Sequence, residues 1–453
     1  METDEMSQFL VNEGLRLGAD EIIAVATNKT LRQIRFGNNE ITITKTWDEV
    51  VAEVLLEKDK TVLTATMTDT SRGSIRETLR DLIAMTKVMK PHEDYSPLPE
   101  GPFRYREIPR LYDKRISTLE EKSVDYVIAA INSATESGAN RSAGTLLVED
   151  SVSKLTSSRN AEGNRKKTTI NLSIRSLADG ESSGVGITCG TNLDDFNPEK
   201  AGEEAGGLAK MSLRAESGKL GRYNVVFSRV ANAVLFDIVA GMNSAFYVGA
   251  GISCFIEKLG EKVASDRIAL YDDAQVTGGV GSTPFDDEGN PTGRTTIIEN
   301  GVLKTHLHNS LTAKKYKTKS TANATRTRLY RTWMPLPWNV LVKEGEHSDE
   351  ELLEEVKNGL FVNNITYVRF QDYRKGDFSG IIRDGLFKIE NGELTSPVKG
   401  LRLSDNILHL LQNATALSKD AVQINHWWME FDTPSVWTPL VSARNIGFTV
   451  ATK

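Results

Sequence analysis

Chemistry needs particular side chains at particular spacings, and a few places in this chain offer them. His306 and His308 are the only close pair among six histidines, two apart on one face of a predicted strand, where both could reach one metal ion. No third ligand is specified nearby, so a solvent-facing pair is expected. A dispersed zinc site built from His306, His308 and Asp273 is the least favoured alternative. The acidic runs Asp272-Asp273 and Asp286-Asp287-Glu288 lack the alternation of a calcium loop, and Asp286 to Gly289, followed by Pro291, reads as a turn that bonds its own backbone. Gly278-Gly-Val-Gly281 has the composition of a phosphate loop but neither its Lys-Ser/Thr nor a following helix pattern. Cys189 and Cys254 sit in apolar or Gly-rich surroundings and read as structural. No nucleophile elbow or Cys/His signature appears.

One segment is locally basic. Lys314, Lys315, Lys317, Lys319, Arg326, Arg328, Arg331 and Lys343 lie in a stretch without acids, interleaved with Tyr316, Tyr330, Trp333 and Trp338. Such a segment suits nucleic acid, an acidic partner or an extended peptide. Over the whole chain of 453 residues the net charge is −6, so no global attraction to nucleic acid or anionic lipid is expected, and the protein or peptide reading is preferred. Lys314, Lys315, Arg326, Arg328 and Trp333 are the candidate contacts. With 39% hydrophobic and 26% charged residues the chain can bury a core, and two cysteines give no disulfide framework, which fits a reducing, cytoplasmic setting. Neither a leader pattern nor an apolar membrane span is found.

These residues need elements to hold them. The pattern predicts an α+β protein: antiparallel sheets with packed helices, then a β-rich, barrel-like or sandwich-like domain. A helix around Phe9, Leu10 and Leu17 ends near Gly18, followed by strand runs at 22–26, 31–36, 41–44, 50–56 and 62–67, with a Gly37-Asn38-Asn39 hairpin turn. Ser74 to Glu77 reads as the capping box of a second helix, striped by Ile75, Leu79, Leu82 and Ile83. Between Pro91 and Pro109 lie five of the thirteen prolines, which reads as a linker and divides 1–90 from a second α+β unit at 111–220. There, Thr118 to Glu121 reads as another capping box, Val124, Val127, Ile128 and Ile131 stripe a helix, strands fall near 145–148, 167–174 and 183–188, and Asn197-Pro198 opens a helix. From 221 to 453 strands dominate, with an apolar helix near 230–240, a surface helix at 349–358, and Asn-Gly hairpin turns at Asn300-Gly301 and Asn391-Gly392.

Several of these pieces together carry a resemblance. Lys258-Leu-Gly-Glu-Lys-Val-Ala-Ser265, Phe285-Asp-Asp-Glu-Gly-Asn-Pro-Thr292, Ile298-Glu-Asn-Gly-Val-Leu-Lys304, Thr312-Ala-Lys314 and Ser320-Thr-Ala-Asn323 stand in order. With Gly376-Asp-Phe-Ser379 and Ile389-Glu-Asn-Gly392 they make the sequence similar to the TldD/PmbA family, also called modulators of DNA gyrase. The resemblance implies a zinc-dependent peptidase of two related subunits. One carries H-E-x-x-x-H on a helix and a later Cys ligand; the other, TldE or PmbA, lacks them.

The window matching that motif is Asp237-Ile-Val-Ala-Gly-Met242, and no cysteine follows Cys254. Ile238 can be neither ligand nor base, and Met242 offers only a thioether, so core packing is expected of both. Two ligands five positions apart on a helix diverge by about 140°, so a catalytic relative must end its helix there, and Gly241 is placed to keep that break. The resemblance therefore implies a non-catalytic TldE/PmbA-like subunit, with no metal, cofactor or catalytic residue of its own. Zinc is expected in a TldD-like partner, and unfolded peptides as substrates. No membrane or nucleic-acid partner is expected. The alternative is a stand-alone binding protein using 314–343.

Overall fold

The computed structural model describes residues 1–327, 332–426 and 434–450. Helix α1 (Thr3–Leu17) buries Met6, Leu10 and Val11 and ends at Gly18, whose φ of 102° suits glycine. The five short strand runs expected next are three strands: β1 (Glu21–Gly37), β2 (Glu40–Lys58) and β3 (Thr61–Met67). The polar stretches between the apolar runs do not break the strands because they are paired across them. Lys29 lies opposite Glu49 and Thr30 opposite Asp48, with an ion pair of 3.0 Å and a hydroxyl-to-carboxylate bond of 2.6 Å. Asn38 and Asn39 take φ of 52° and 66° in the hairpin turn. Helix α2 (Arg72–Thr86) starts one turn before the expected box, with Ser71 accepting from the Ser74 N–H at 3.3 Å.

The stretch 91–110 is a packed strap. Leu98 and Ile108 supply buried apolar side chains between the prolines; Tyr95 and the Leu98 N–H donate to Glu21 at 2.6 and 2.7 Å, and Tyr105 donates to the Gly289 carbonyl at 2.8 Å. After it come α3 (Lys114–Ser117), α4 (Ser123–Glu136), β4 (Arg141–Ser157), β5 (Glu162–Leu177), β6 (Ser183–Gly190) and α5 (Pro198–Met211). The expected Thr118 box does not form. A 3-10 turn at Glu120–Lys122 leads into α4 without a side-chain cap, and Ile128 is exposed while Val127, Ala130, Ile131 and Ala134 are buried.

Strands on both sides of the strap join one antiparallel sheet in the order β3-β2-β1-β4-β5-β6. The helices cover a single face of it, α1 and α2 at one end and α4 and α5 at the other. Close approach there depends on missing side chains: a Cβ on Gly202 or Gly206 of α5 would lie 2.2 Å from the carbonyl oxygen of Ala130 or Ala134 in α4.

The remaining chain forms β7 (Glu216–Ser217), β8 (Gly221–Phe227), α6 (Arg229–Met242), α7 (Ala245–Gly249), β9 (Leu270–Asp273), β10 (Arg294–Glu299), β11 (Val302–Leu303) and α8 (Ser310–Lys315). It continues with β12 (Ala324–Thr327), β13 (Thr332–Pro335), β14 (Asn339–Val342), α9 (Asp349–Val356), β15 (Asn358–Asp372), β16 (Asp377–Glu390) and β17 (Glu393–Lys399). The last elements are β18 (Leu401–Asn406), α10 (Ile407–Gln412), β19 (Ala414–Leu417), β20 (Val422–Ile424), β21 (Ser435–Thr438) and β22 (Val441–Val450). Strands β15-β8-β22-β18-β16 close into a five-stranded barrel through the β15–β16 pairing. A second sheet runs β11-β10-β9-β14-β21-β20. Helix α6, capped by Ser228, packs against strands of both, so one large core joins barrel and sheet. No helix among the described residues is long and apolar enough to cross a membrane.

Candidate functional site

The helix-free face of the N-terminal sheet meets loops of the C-terminal half across a cleft of about 320 Å³. Strand alternation sets its floor: Thr27, Lys29 and Leu31 of β1, Glu53 of β2, Glu149 of β4, and Arg165, Lys167, Thr169 and Asn171 of β5 all point the same way. Its roof includes Val280, Gly281, Asp287, Arg326, Trp338, Asn425 and His426.

The glycine run at 278–281 serves packing. A Cβ on Gly281 would sit 1.7 Å from the Trp338 carbonyl oxygen, and the N–H groups of Val280 and Gly281 donate to Gln423 and Asn339 at 2.7 and 2.8 Å, so neither is left for a phosphate. Asp286-Asp287-Glu288 builds a buried turn, whereas Asp272-Asp273 ends strand β9 and bonds a distant segment. Asp286 accepts the Asn290 N–H at 2.8 Å, and Asp272 accepts those of Trp338 and Asn339 at 2.7 and 3.1 Å. Burial still pushes the Asp272 carboxyl up to about 7.

Charge in the cleft is unevenly paired. Arg326 holds two acids at once: it bonds Glu53 and lies 2.9 Å from Asp287, whose carboxylate also accepts the Arg326 N–H at 2.7 Å. Lys29 is paired with Glu49. Arg165 donates to two hydroxyls, Thr283 at 3.0 Å and Ser153 at 3.4 Å, and lies 5.8 Å from the centre of the Phe285 ring, with no ion pair among the described residues; Lys167 donates to the Val280 carbonyl. Desolvation lowers both cations, Lys167 to about 8. His426 donates from Nε2 to the Val230 carbonyl at 3.2 Å, and its buried Nδ1 has no partner among the described residues. Asn171 donates to the Asn425 side chain at 2.8 Å, leaving its own Oδ1 unpartnered.

The α6 window lies deeper. Met242 is buried in the large core and Ile238 is half-buried against it; the helix ends at Met242, one residue past Gly241. Asp237 is half-buried with no hydrogen-bond or ion-pair partner among the described residues, and desolvation raises its carboxyl to about 7. These side chains do not fit zinc: one carboxylate that resists ionisation, an aliphatic chain and a thioether are not a tetrahedral donor set.

His306 and His308, expected to face solvent, are both buried. His306 Nδ1 lies 2.7 Å from Asn243 Oδ1 and His308 Nδ1 3.3 Å from Thr312 Oγ1, and burial pulls both imidazoles down to about 4. The strand β11 that should have carried them outward stops at Leu303, and the chain turns inward beneath the C-terminal end of α6. Among the described residues no group of three His, Cys, Asp or Glu could hold a metal ion. Both cysteines are buried and free, with thiols pushed up to about 12.

The basic segment does not present one uniform surface. Lys314 and Lys315 are exposed at the end of α8, Arg326 is held by its two acids, and Trp333 packs against the apolar cluster around Ile23, Val25 and Phe285. Arg328 lies outside the described residues. Sequence reading missed the cleft-lining residues Lys29, Glu53, Glu149, Arg165, Lys167, Asn171 and His426. The one available signal was the alternation of Arg165, Lys167, Thr169 and Asn171, which also describes an ordinary solvent face.

The fold is thus a helix-backed sheet that meets a barrel-containing half across a cleft. Residues 220–449 match the family described as the PmbA/TldA metallopeptidase C-terminal domain, and the chain belongs to this TldD/PmbA family. A metalloprotease of Methanocaldococcus jannaschii is 35% identical over 48% of this chain and 48% of its own length. A metalloprotease PmbA homolog of Buchnera aphidicola is 27% identical over 52% of this chain and 50% of its own. The chain thus spans about half the length of these curated relatives. TldE from Thermococcus kodakarensis shares the fold, with a TM-score of 0.85 at 22% identity, covering 98% of this chain and 100% of that one.

Proposed function

We propose that this chain is the non-catalytic, TldE/PmbA-like subunit of a cytoplasmic heterodimeric zinc metallopeptidase that acts on unfolded peptides. The observation that carries the reading is the α6 window, where Asp237, Ile238 and Met242 stand in place of metal donors while the family's fold is kept around them. A zinc-activated water requires about three protein ligands and an open position, and a TldD-like partner is the source of these.

This chain's own share is to receive peptide. Strand β2 pairs with β1 from Glu40 to Glu57 but with β3 only from Ala52 to Lys58, so Glu40–Val51 has a neighbour on one side only among the described strands. A free edge accepts an extended peptide through backbone hydrogen bonds, which recognises chain rather than sequence.

The test is cleavage of an unfolded reporter peptide with added zinc, by this chain alone and after mixing with an H-E-x-x-x-H family member from the same organism. Activity is expected only in the mixture, and it disappears on chelation. Chelator-sensitive hydrolysis by this chain alone, with stoichiometric tightly bound zinc, would overturn the reading.

A further inference from the structure

We propose that Arg165 and Lys167 form a carboxylate-binding floor in the cleft, which takes the C-terminal or side-chain carboxylate of an extended peptide. The inference rests on the peptide-handling reading above and names the chemistry that the peptide must bring.

The two residues stand two apart on β5 and therefore on one face of the sheet, lining the same cleft. Across the strand pair their neighbours are Ser153 and Ser151, so the register itself gives them no acid. Arg165 uses its guanidinium on two hydroxyls, and Lys167 uses its ammonium on one carbonyl. A guanidinium has five N–H donors and an ammonium three, so both keep donors in hand.

The cleft's own acids do not supply the missing partner. Glu53 and Asp287 are held by Arg326, and among the described residues neither Arg165 nor Lys167 has a carboxylate within ion-pair distance. Glu149 is the remaining acid of the lining, and it faces two cations. Arg165, Lys167 and Glu149 by themselves carry one positive charge in excess, which one carboxylate would match, while Arg326 with Glu53 and Asp287 carries one negative charge beside them. In a half-buried setting, charge-assisted bonds to a carboxylate are about twice as strong as neutral ones. Burial already disfavours both cations in the empty cleft, a cost that a bound anion removes.

The same row of β5 continues through Thr169 to Asn171, whose buried Oδ1 has no hydrogen-bond partner among the described residues. At a strand rise of about 3.3 Å, Asn171 stands about 13 Å from Lys167, the reach of roughly four residues of extended peptide. An unused amide oxygen at that distance calls for a peptide N–H, which a small free anion does not offer.

The experiment is calorimetric titration of the full chain with three acetylated octapeptides of Ala, Ser and Gly: the free acid, the C-terminal amide, and an amide with one internal Glu. The free acid is expected to bind at least tenfold tighter than the plain amide. Lys167→Met and Arg165→Gln should each remove most of that preference while leaving the amide's affinity unchanged, and Lys167→Arg should keep it. An internal-Glu amide that matches the free acid assigns side-chain carboxylates as well; one that matches the plain amide assigns the terminus alone. Equal binding of acid and amide overturns carboxylate recognition and leaves peptide handling standing. A preference that survives in both charge-removing variants, with unchanged melting temperatures, overturns the assignment to these residues. Binding of none of the peptides also overturns it, and the mixed-subunit cleavage assay then decides the broader reading separately.

Discussion

Helix α6 and strand β5 treat polar chemistry in opposite ways. On α6, Ile238 and Met242 face the large core, and their polar neighbour Asp237 is pushed towards neutrality. On β5, Arg165 and Lys167 stand in a cleft with no carboxylate in contact among the described residues, beside Arg326, which has two. Packing has taken over the first region, and unsatisfied charge persists in the second. Buried charge without a partner is costly to keep, so a fold that retains it at one place while using apolar groups at another marks where a ligand is to be met.

Four substitutions break or sharpen this contrast. The largest effect is expected for Arg326→Ala, which strands Glu53 and Asp287 in a low-dielectric cleft; breaking such a buried group costs about 4 kcal/mol, read by urea unfolding. Met242→Ala tests whether the α6 window is core. A loss of about 3 kcal/mol is expected from transfer and cavity terms, and a loss near zero would mean that the position is not packed.

Asp237→Asn comes third. In the folded chain the Asp237 carboxyl sits at about 7 against an ordinary 3.8, so between those values the folded protein keeps a proton that the unfolded chain has released. Its contribution to stability therefore falls as pH rises from about 4 to 7 and is least favourable above. The asparagine variant should gain on the order of 1 kcal/mol at pH 8 and nothing near pH 4. His306 and His308 titrate in the opposite sense, since burial holds both at about 4, so the variant-minus-parent difference is the readout. The smallest effect belongs to Lys167→Met. It removes a desolvated cation that has no acid in contact among the described residues and gives up one bond to a carbonyl, so stability at pH 7 should rise slightly, by less than about 1 kcal/mol, opposite in sign to Arg326→Ala.

Much of the fold was legible. The Asn-Gly turns at 300–301 and 391–392, the Asn197-Pro198 helix start and the amphipathic stripe of α1 are local signals, and each appears where its residues put it. The site was less so. The row Arg165, Lys167, Thr169, Asn171 reads as a solvent face until the loops around Val280, Asp287 and Trp338 close over it. The H-x-H pair was misplaced because nothing near 306–308 announces that Asn243 and Thr312 will meet the rings from other parts of the chain.

By itself, then, the sequence determined the Asn-Gly turns, the Asn197 helix start, the α+β class, the family resemblance and the apolar character of the α6 window, all of which rest on side chains acting within a few positions of one another. Tertiary structure alone decided which charges are satisfied. Arg326 meets Glu53 across a separation of 273 positions, and no local pattern encodes that encounter. Propensity and alternation act along the chain, whereas the cost of an unpaired charge depends on what the folded chain brings beside it.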